Sequence, residues 1–177
     1  RVITFKNVPS RPVASLLRGF SAPVRLEPAP ASEDLERLLA HDDDAFNRWQ
    51  AAQSLALRAI FARVEALRSG ADTPRATGFV AALKALLSKA EADPAFAALA
   101  LSLPSEIDLA REAGADVDPD ILFAARRGLR EEIGAALRSD LERLYAAFSD
   151  TGAFRPDAAG AGRRALRAAT LDLIGAG

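Results

Sequence analysis

The sequence predicts a mainly α fold: an antiparallel array of helices stacked as helix pairs, preceded by a short β-strand segment from an incomplete β-sandwich. Three observations predict it. From Phe46 to Leu67 apolar residues recur at three- and four-residue steps, the spacing that stacks side chains on one face of an α-helix. Asp93-Pro94 and Asp118-Pro119 each pair a capping carboxylate with a proline suited to a first helical position. Residues 1–27 instead hold β-branched and aromatic clusters interrupted by Asn, Gly and Pro, residue types that favour short strands and turns.

Taken in order, Val2-Ile3-Thr4-Phe5, Val13 to Leu17 and Val24 to Leu26 are three strand candidates. Three short strands cannot enclose a core, so residues 1–27 are expected to be the terminal strands of an Ig-like β-sandwich whose other strands are absent. Their unpaired edges, with Phe5, Leu16, Leu17 and Phe20, invite packing on the helices or self-association. Residues 28–31, Pro-Ala-Pro-Ala, are a stiff extended linker. From residue 32 to 177 the pattern is helical.

Ser32 is expected to cap a short helix whose apolar face is Leu35, Leu38 and Leu39. Asp42, Asp43 and Asp44 then lead into the long helix, where carboxylates suit the positive end of the helix dipole. Its predicted inner stripe is Phe46, Trp49, Gln53, Leu57, Ile60, Val64 and Leu67, and Gly70 supplies the left-handed stop. This helix should be the element on which the others pack, with Trp49 buried where the β segment meets the helices. Phe79, Leu83, Leu86, Leu87 and Ala90 mark a second stripe, and Asp93-Pro94 opens a short helix through Leu101. Ile107, Leu109 and Ala110 lie on a brief helical piece that Gly114 ends. Asp118-Pro119 opens a second long helix with a stripe from Leu122 through Leu129, Leu137 and Leu144 to Phe148. A last helix, from about Asp157 to Ile174, turns Leu166, Ala169, Leu173 and Ile174 inward. No fixed sequence period emerges, so a helix-pair stack is expected without a true repeat.

Composition narrows the function. At 177 residues, with 50% hydrophobic and 27% charged residues, the chain can bury a real core. Its 23 basic and 24 acidic residues leave no field that would advertise nucleic acid or an anionic membrane. Without a run of about 18 apolar residues, no membrane-spanning helix is expected. There is no Cys and one His, so disulfides are impossible and a three-ligand zinc site is hard to assemble. Met is absent even at position 1, and the chain reads as a piece of something longer.

Two clusters invite chemistry and fail on geometry. His41 beside Asp42, Asp43 and Asp44 suggests a metal, but consecutive side chains diverge around a helix. An exposed histidine at a helix entry fits better. The aspartates lack the alternating ligands and Gly turn of a calcium loop. Arg126, Arg127 and Arg130, and Arg163, Arg164 and Arg167, make basic steps, but phosphate recognition needs a wider patch than either provides. Both read as solvated, salt-bridging faces. His-Glu-x-x-His, Gly-x-Ser-x-Gly, Walker and Rossmann patterns do not occur. No catalytic, cofactor-binding or metal residue is therefore expected in this chain.

One stretch is less generic. Val13-Ala14-Ser15-Leu16-Leu17-Arg18-Gly19-Phe20-Ser21-Ala22-Pro23-Val24-Arg25-Leu26, with His41, Phe46-Asn47-Arg48-Trp49 and Ala52-Gln53, resembles the bacterial aminopeptidase N family of zinc gluzincin peptidases. The resemblance continues at Leu103-Pro104-Ser105-Glu106, Asp118-Pro119 and Arg163 to Arg167. It implies a parent with an N-terminal β-domain, a thermolysin-like catalytic domain, a small β-sandwich and a large helical C-terminal domain. Residues 1–27 would then end the sandwich, and 32–177 would begin the helical domain. The resemblance also implies a cytoplasmic parent that removes N-terminal residues from peptides using zinc. The parent's catalytic domain would be this chain's partner, and the helices would help enclose the active-site cavity. The family's zinc ligands and catalytic residues lie upstream, and none maps onto a residue here. The competing expectation is a free-standing helical scaffold or adaptor that binds protein partners.

Overall fold

A computed structural model describes residues 4, 6–21, 27, 29–149 and 154–177. Its elements are a 3₁₀ turn at Arg18–Phe20 and eight α-helices among the described residues. They are α1 (Ser32–His41), α2 (Ala45–Ser69), α3 (Thr77–Leu87), α4 (Pro94–Leu101), α5 (Glu106–Ala113), α6 (Pro119–Ala136), α7 (Arg138–Ala147) and α8 (Ala158–Ile174).

Side-chain caps start five of these helices. Asp44, Asp93, Ser105, Asp118 and Asp157 each accept a backbone N–H from the first turn that follows, satisfying donors that a helix start leaves orphaned. The prolines after Asp93 and Asp118 fall where no N–H is needed. Gly70, at φ 67°, closes α2 in the left-handed conformation. Ser32 departs from expectation. It lies inside α1, after Ala31 at the cap position, and its hydroxyl accepts from Arg58 Nη1 on α2 at 3.1 Å.

The long helix is the hub that its pattern predicts. α2 packs against α1, α3, α4, α6 and the 3₁₀ turn, while α8 lies on α4, α6 and α7. A single core runs through the helices, from Leu39, Ile60 and Leu83 to Leu129, Leu141 and Leu166. The buried face of α2, however, is rotated from the predicted stripe. It carries Asn47, Ala51, Ala52, Leu55, Ala56, Ile60, Arg63 and Val64, whereas Trp49 is 38% exposed and Leu67 is also exposed. The expected burial of Trp49 is thus corrected. Four helices converge on α2, and alanines let their backbones approach where Trp and Leu would hold them apart.

Two further expectations change. Val13 to Leu16 form no strand, and Leu17 adopts a left-handed conformation at φ 57° that starts the 3₁₀ turn. A strand needs a ladder partner for its backbone, whereas the Leu16 carbonyl accepts from the Asn47 side chain on α2. Val2, Ile3, Phe5 and Val24 to Leu26 lie outside the described residues, so those strand expectations are not addressed. The predicted second long helix is two, α6 and α7, broken at Leu137 with φ −107° and ψ 12°. Close to the break, Gly134 meets the end of α8, where a Cβ would run into the Leu173 carbonyl oxygen, and Arg138 Nη1 donates to the Gly177 carbonyl at 3.2 Å. Ile107 is 70% exposed, leaving Leu109 alone as the buried residue of α5.

Candidate functional site

Three features carry polar or concave chemistry. The first is the corner between α1 and α2, which holds His41 and the three aspartates. His41 is the exposed last residue of α1. The aspartates turn to different tasks, as their consecutive positions require. Asp42 Oδ1 accepts from the Asp44 amide at 3.0 Å and from Arg18 Nη1 at 3.1 Å. Asp43 Oδ1 takes Arg18 Nη2 at 2.5 Å. Asp44 spans both sides of the corner, accepting from Asn47 N at 2.9 Å and from Gly19 N at 2.8 Å. Those two backbone bonds, more than the Arg18 charge, hold the Asp44 carboxyl below its usual range. Burial alone would raise Asp42, but the nearby Ser15 hydroxyl, the Asp44 amide and Arg18 outweigh it and leave it lowered. Among the described residues no group of three His, Cys, Asp or Glu side chains converges as metal ligands would.

The second feature is a buried ion pair between α2 and α6. The Arg63 guanidinium, 3% exposed, donates Nη2 to Glu132 Oε2 and Nη1 to the Ala59 carbonyl. Glu132 Oε1 accepts the Ala76 amide at 3.0 Å, at the start of α3. Burial draws the Arg63 guanidinium below its ordinary value, and Glu132 opposes that shift. This pair escaped the sequence reading. The available signal was the spacing of Arg63, three residues after Ile60 and one before Val64, on the buried period of α2.

The third is an open groove of about 740 Å³ between α4, α6 and α8, floored by small residues such as Ala98, Ala161 and Ala165 and flanked by Leu99, Arg126 and Arg130. Its arginines are engaged within the chain: Arg126 Nε donates to the Pro104 carbonyl and Arg130 Nη2 to Asp172. Arg127 pairs with Glu131. The other basic step is dispersed over aromatic rings, with Arg163 over Phe148, Arg164 over Phe154 and Arg167 over Tyr145 at 4.4 to 5.1 Å.

Stacked helix pairs around a central long helix, tied by capped termini and a buried ion pair, define a helical-repeat domain. Residues 32–177 match the family described as a domain of unknown function (DUF3458_C) with ARM repeats, and the chain belongs to that family. The family's description as ARM repeats corrects the expectation of a stack without a true repeat. Over 174 residues the chain is 42% identical to an aminopeptidase N from Caulobacter vibrioides, covering 98% of this chain and 20% of that protein. It is 32% identical to an aminopeptidase N from Escherichia coli, covering all of this chain and 20% of that one. A crystal structure of Legionella pneumophila aminopeptidase A in complex with aspartic acid superposes with a TM-score of 0.77 at 28% identity, over 96% of this chain and 20% of that one. The chain therefore spans about one fifth of the length of the aminopeptidases it matches.

Proposed function

We propose that this chain is a non-catalytic helical part of a zinc-dependent aminopeptidase of the N type, which removes N-terminal residues from peptides. The observation that carries the reading is similarity along nearly the whole chain to one fifth of such enzymes. In it, residues 1–27 end a β-sandwich, 28–31 link, and 32–177 begin the helical domain that helps enclose the active-site cavity of a cytoplasmic enzyme. Among the described residues no helix is long and apolar enough to cross a membrane.

The residues present do not fit a catalytic zinc. A sequence with one His and no Cys lacks the usual imidazole or thiolate donors for three protein ligands, and His41 sits exposed at a helix end whose aspartates diverge. Metal ligands and catalytic groups would come from other parts of the longer protein. The domain's task is then steric, limiting access to peptides and unfolded ends.

The test compares the isolated chain with the longer protein. Supplied with zinc, the chain alone should not hydrolyse aminoacyl anilides, and the longer protein should. Replacing residues 32–177 by a short linker in the longer protein should change the ratio of long-peptide to dipeptide turnover. Activity of the repurified isolated chain would overturn the reading, as would a size preference indifferent to the deletion. The alternative, a free-standing scaffold that binds protein partners, draws support from the small-residue groove between α4 and α8.

A further inference from the structure

The segment before α1 is fastened to the helices at five places along its length. Arg11 Nη2 pairs with Asp34 of α1 at 2.6 Å. Asn47 Nδ2, on α2, donates to Ser15 Oγ at 3.0 Å and to the Leu16 carbonyl at 2.8 Å. Arg18 reaches Asp42 and Asp43, and the Gly19 amide reaches Asp44. Beyond residues 22–26, Arg58 of α2 donates Nη2 to the Pro30 carbonyl at 2.7 Å and Nη1 to Ser32.

The exposed ion pairs would carry little by themselves, because water and salt screen them. The buried members carry more. Asn47 is 7% exposed, and both amide hydrogens of its side chain are spent on this segment. The Asp42 side chain is 2% exposed, and both Arg18 and the Ser15 hydroxyl, which belong to this segment, act on its carboxyl. Lifting the segment away would orphan these groups in the body of the molecule, which costs more than an ordinary hydrogen bond contributes. Leu17 supplies an independent sign. A branched residue at φ 57° persists in the left-handed region only where its surroundings over-determine it.

We propose that residues 11–20 and 29–32 form a strap that fixes whatever precedes them rigidly to the α1–α2 corner, so that the described linker residues 29–31 are a locked joint and not a swivel. This does not depend on the aminopeptidase reading. If that reading holds, any opening that admits peptides must pivot elsewhere.

The test uses the full chain and a Ser15→Ala/Arg18→Ala variant, which alters the strap and leaves every helix residue in place. In the parent chain, heteronuclear NOEs of residues 11–20 should match those of α2, and the Gly19 amide should exchange at least ~10-fold more slowly than in an open chain. In the variant both signatures should be lost while helical circular dichroism is kept. Low NOEs and an unprotected Gly19 amide in the parent chain would overturn the strap. So would a variant whose residues 11–20 remain as ordered as before.

Discussion

Glu132 shows how much a single side chain can hold. It compensates a buried guanidinium on α2 and receives the amide of Ala76, the cap residue just ahead of α3, so three helices are tied at one carboxylate. Glu132→Gln leaves the Arg63 charge without its counter-ion and should cost about 3–5 kcal/mol, the range for breaking a buried pair. Urea denaturation followed by the fluorescence of Trp49 measures it. Replacing both partners by apolar residues of similar volume should recover most of the loss, because no buried charge then remains. Equal destabilisation by the single and double variants would mean that shape, not charge, explains the site. Acid acts on other residues. Asp42 and Asp44 are held below the ordinary carboxylate range, with Arg18, Asp43 and Arg48 the charges around them. A carboxyl lowered on folding stabilises above its unfolded pKa, about 3.9 for Asp, and loses that contribution as pH falls through the folded value. Stability should therefore show no loss from these groups between pH 8 and 5, then fall below about pH 4. Asp44→Asn should flatten that acid limb, and an unchanged limb would show that other carboxyls dominate it.

Single helices reveal what the sequence could and could not convey. Asp-Pro pairs and Ser105 mark helix starts because capping is local, written in two or three adjacent residues. The stripes of α3 and α8 were also legible, since their large aliphatics face inward. The rotation of α2 was not. Its buried face is rich in alanine, which periodicity cannot separate from exposed alanine, while Trp49 and Leu67 drew the stripe toward solvent. Nor was the break at Leu137 legible, because the apolar spacing runs through it unaltered and its apparent cause is the α8 terminus, far away in sequence. The same reasoning separates two glycines of α6. At Gly128 a Cβ would meet nothing within 4 Å, whereas at Gly134 it would meet the backbone of α8. Gly128→Ala should raise stability by about 0.5–1 kcal/mol through helix propensity. Gly134→Ala should lower it by about 1–3 kcal/mol, the usual cost of overpacking. Thermal melts of the two variants shifting in the same direction would contradict this.

Across the whole molecule, the clasp at the α1–α2 corner alters the expectation for self-association. A strand segment with open edges would recruit a second copy. In the structure, Arg11, Ser15, Leu16, Arg18 and Gly19 each place a polar group on α1, α2 or the corner between them. Sedimentation velocity at micromolar concentration should therefore give a single species with the mass of one chain. A concentration-dependent dimer abolished by substitutions in residues 2–5 would restore the open-edge expectation for the part of the segment outside the described residues. The candidate functional features differ in how far sequence could reach them. The spacing of His41 and of the arginine steps could be read in the sequence itself, whereas the buried pair, the strap and the groove all depend on partners distant in the chain.

The close crossing of α4 and α8 carries a consequence for how such a domain can diverge. A Cβ at Gly162 would come within 3.1 Å of Ala95, and the groove beside this contact is floored with alanines. A seam built from the smallest side chains has nothing left to trim, so nearly every change there adds bulk. Large-for-small exchanges cannot be absorbed singly, and drift along the seam must proceed by compensated pairs, one helix yielding volume as the other gains it. The exposed faces of α5 and α7 carry no such constraint. The history of the domain should thus be recorded unevenly, as coupled substitution between two helices distant in sequence and as independent change almost everywhere on the outside.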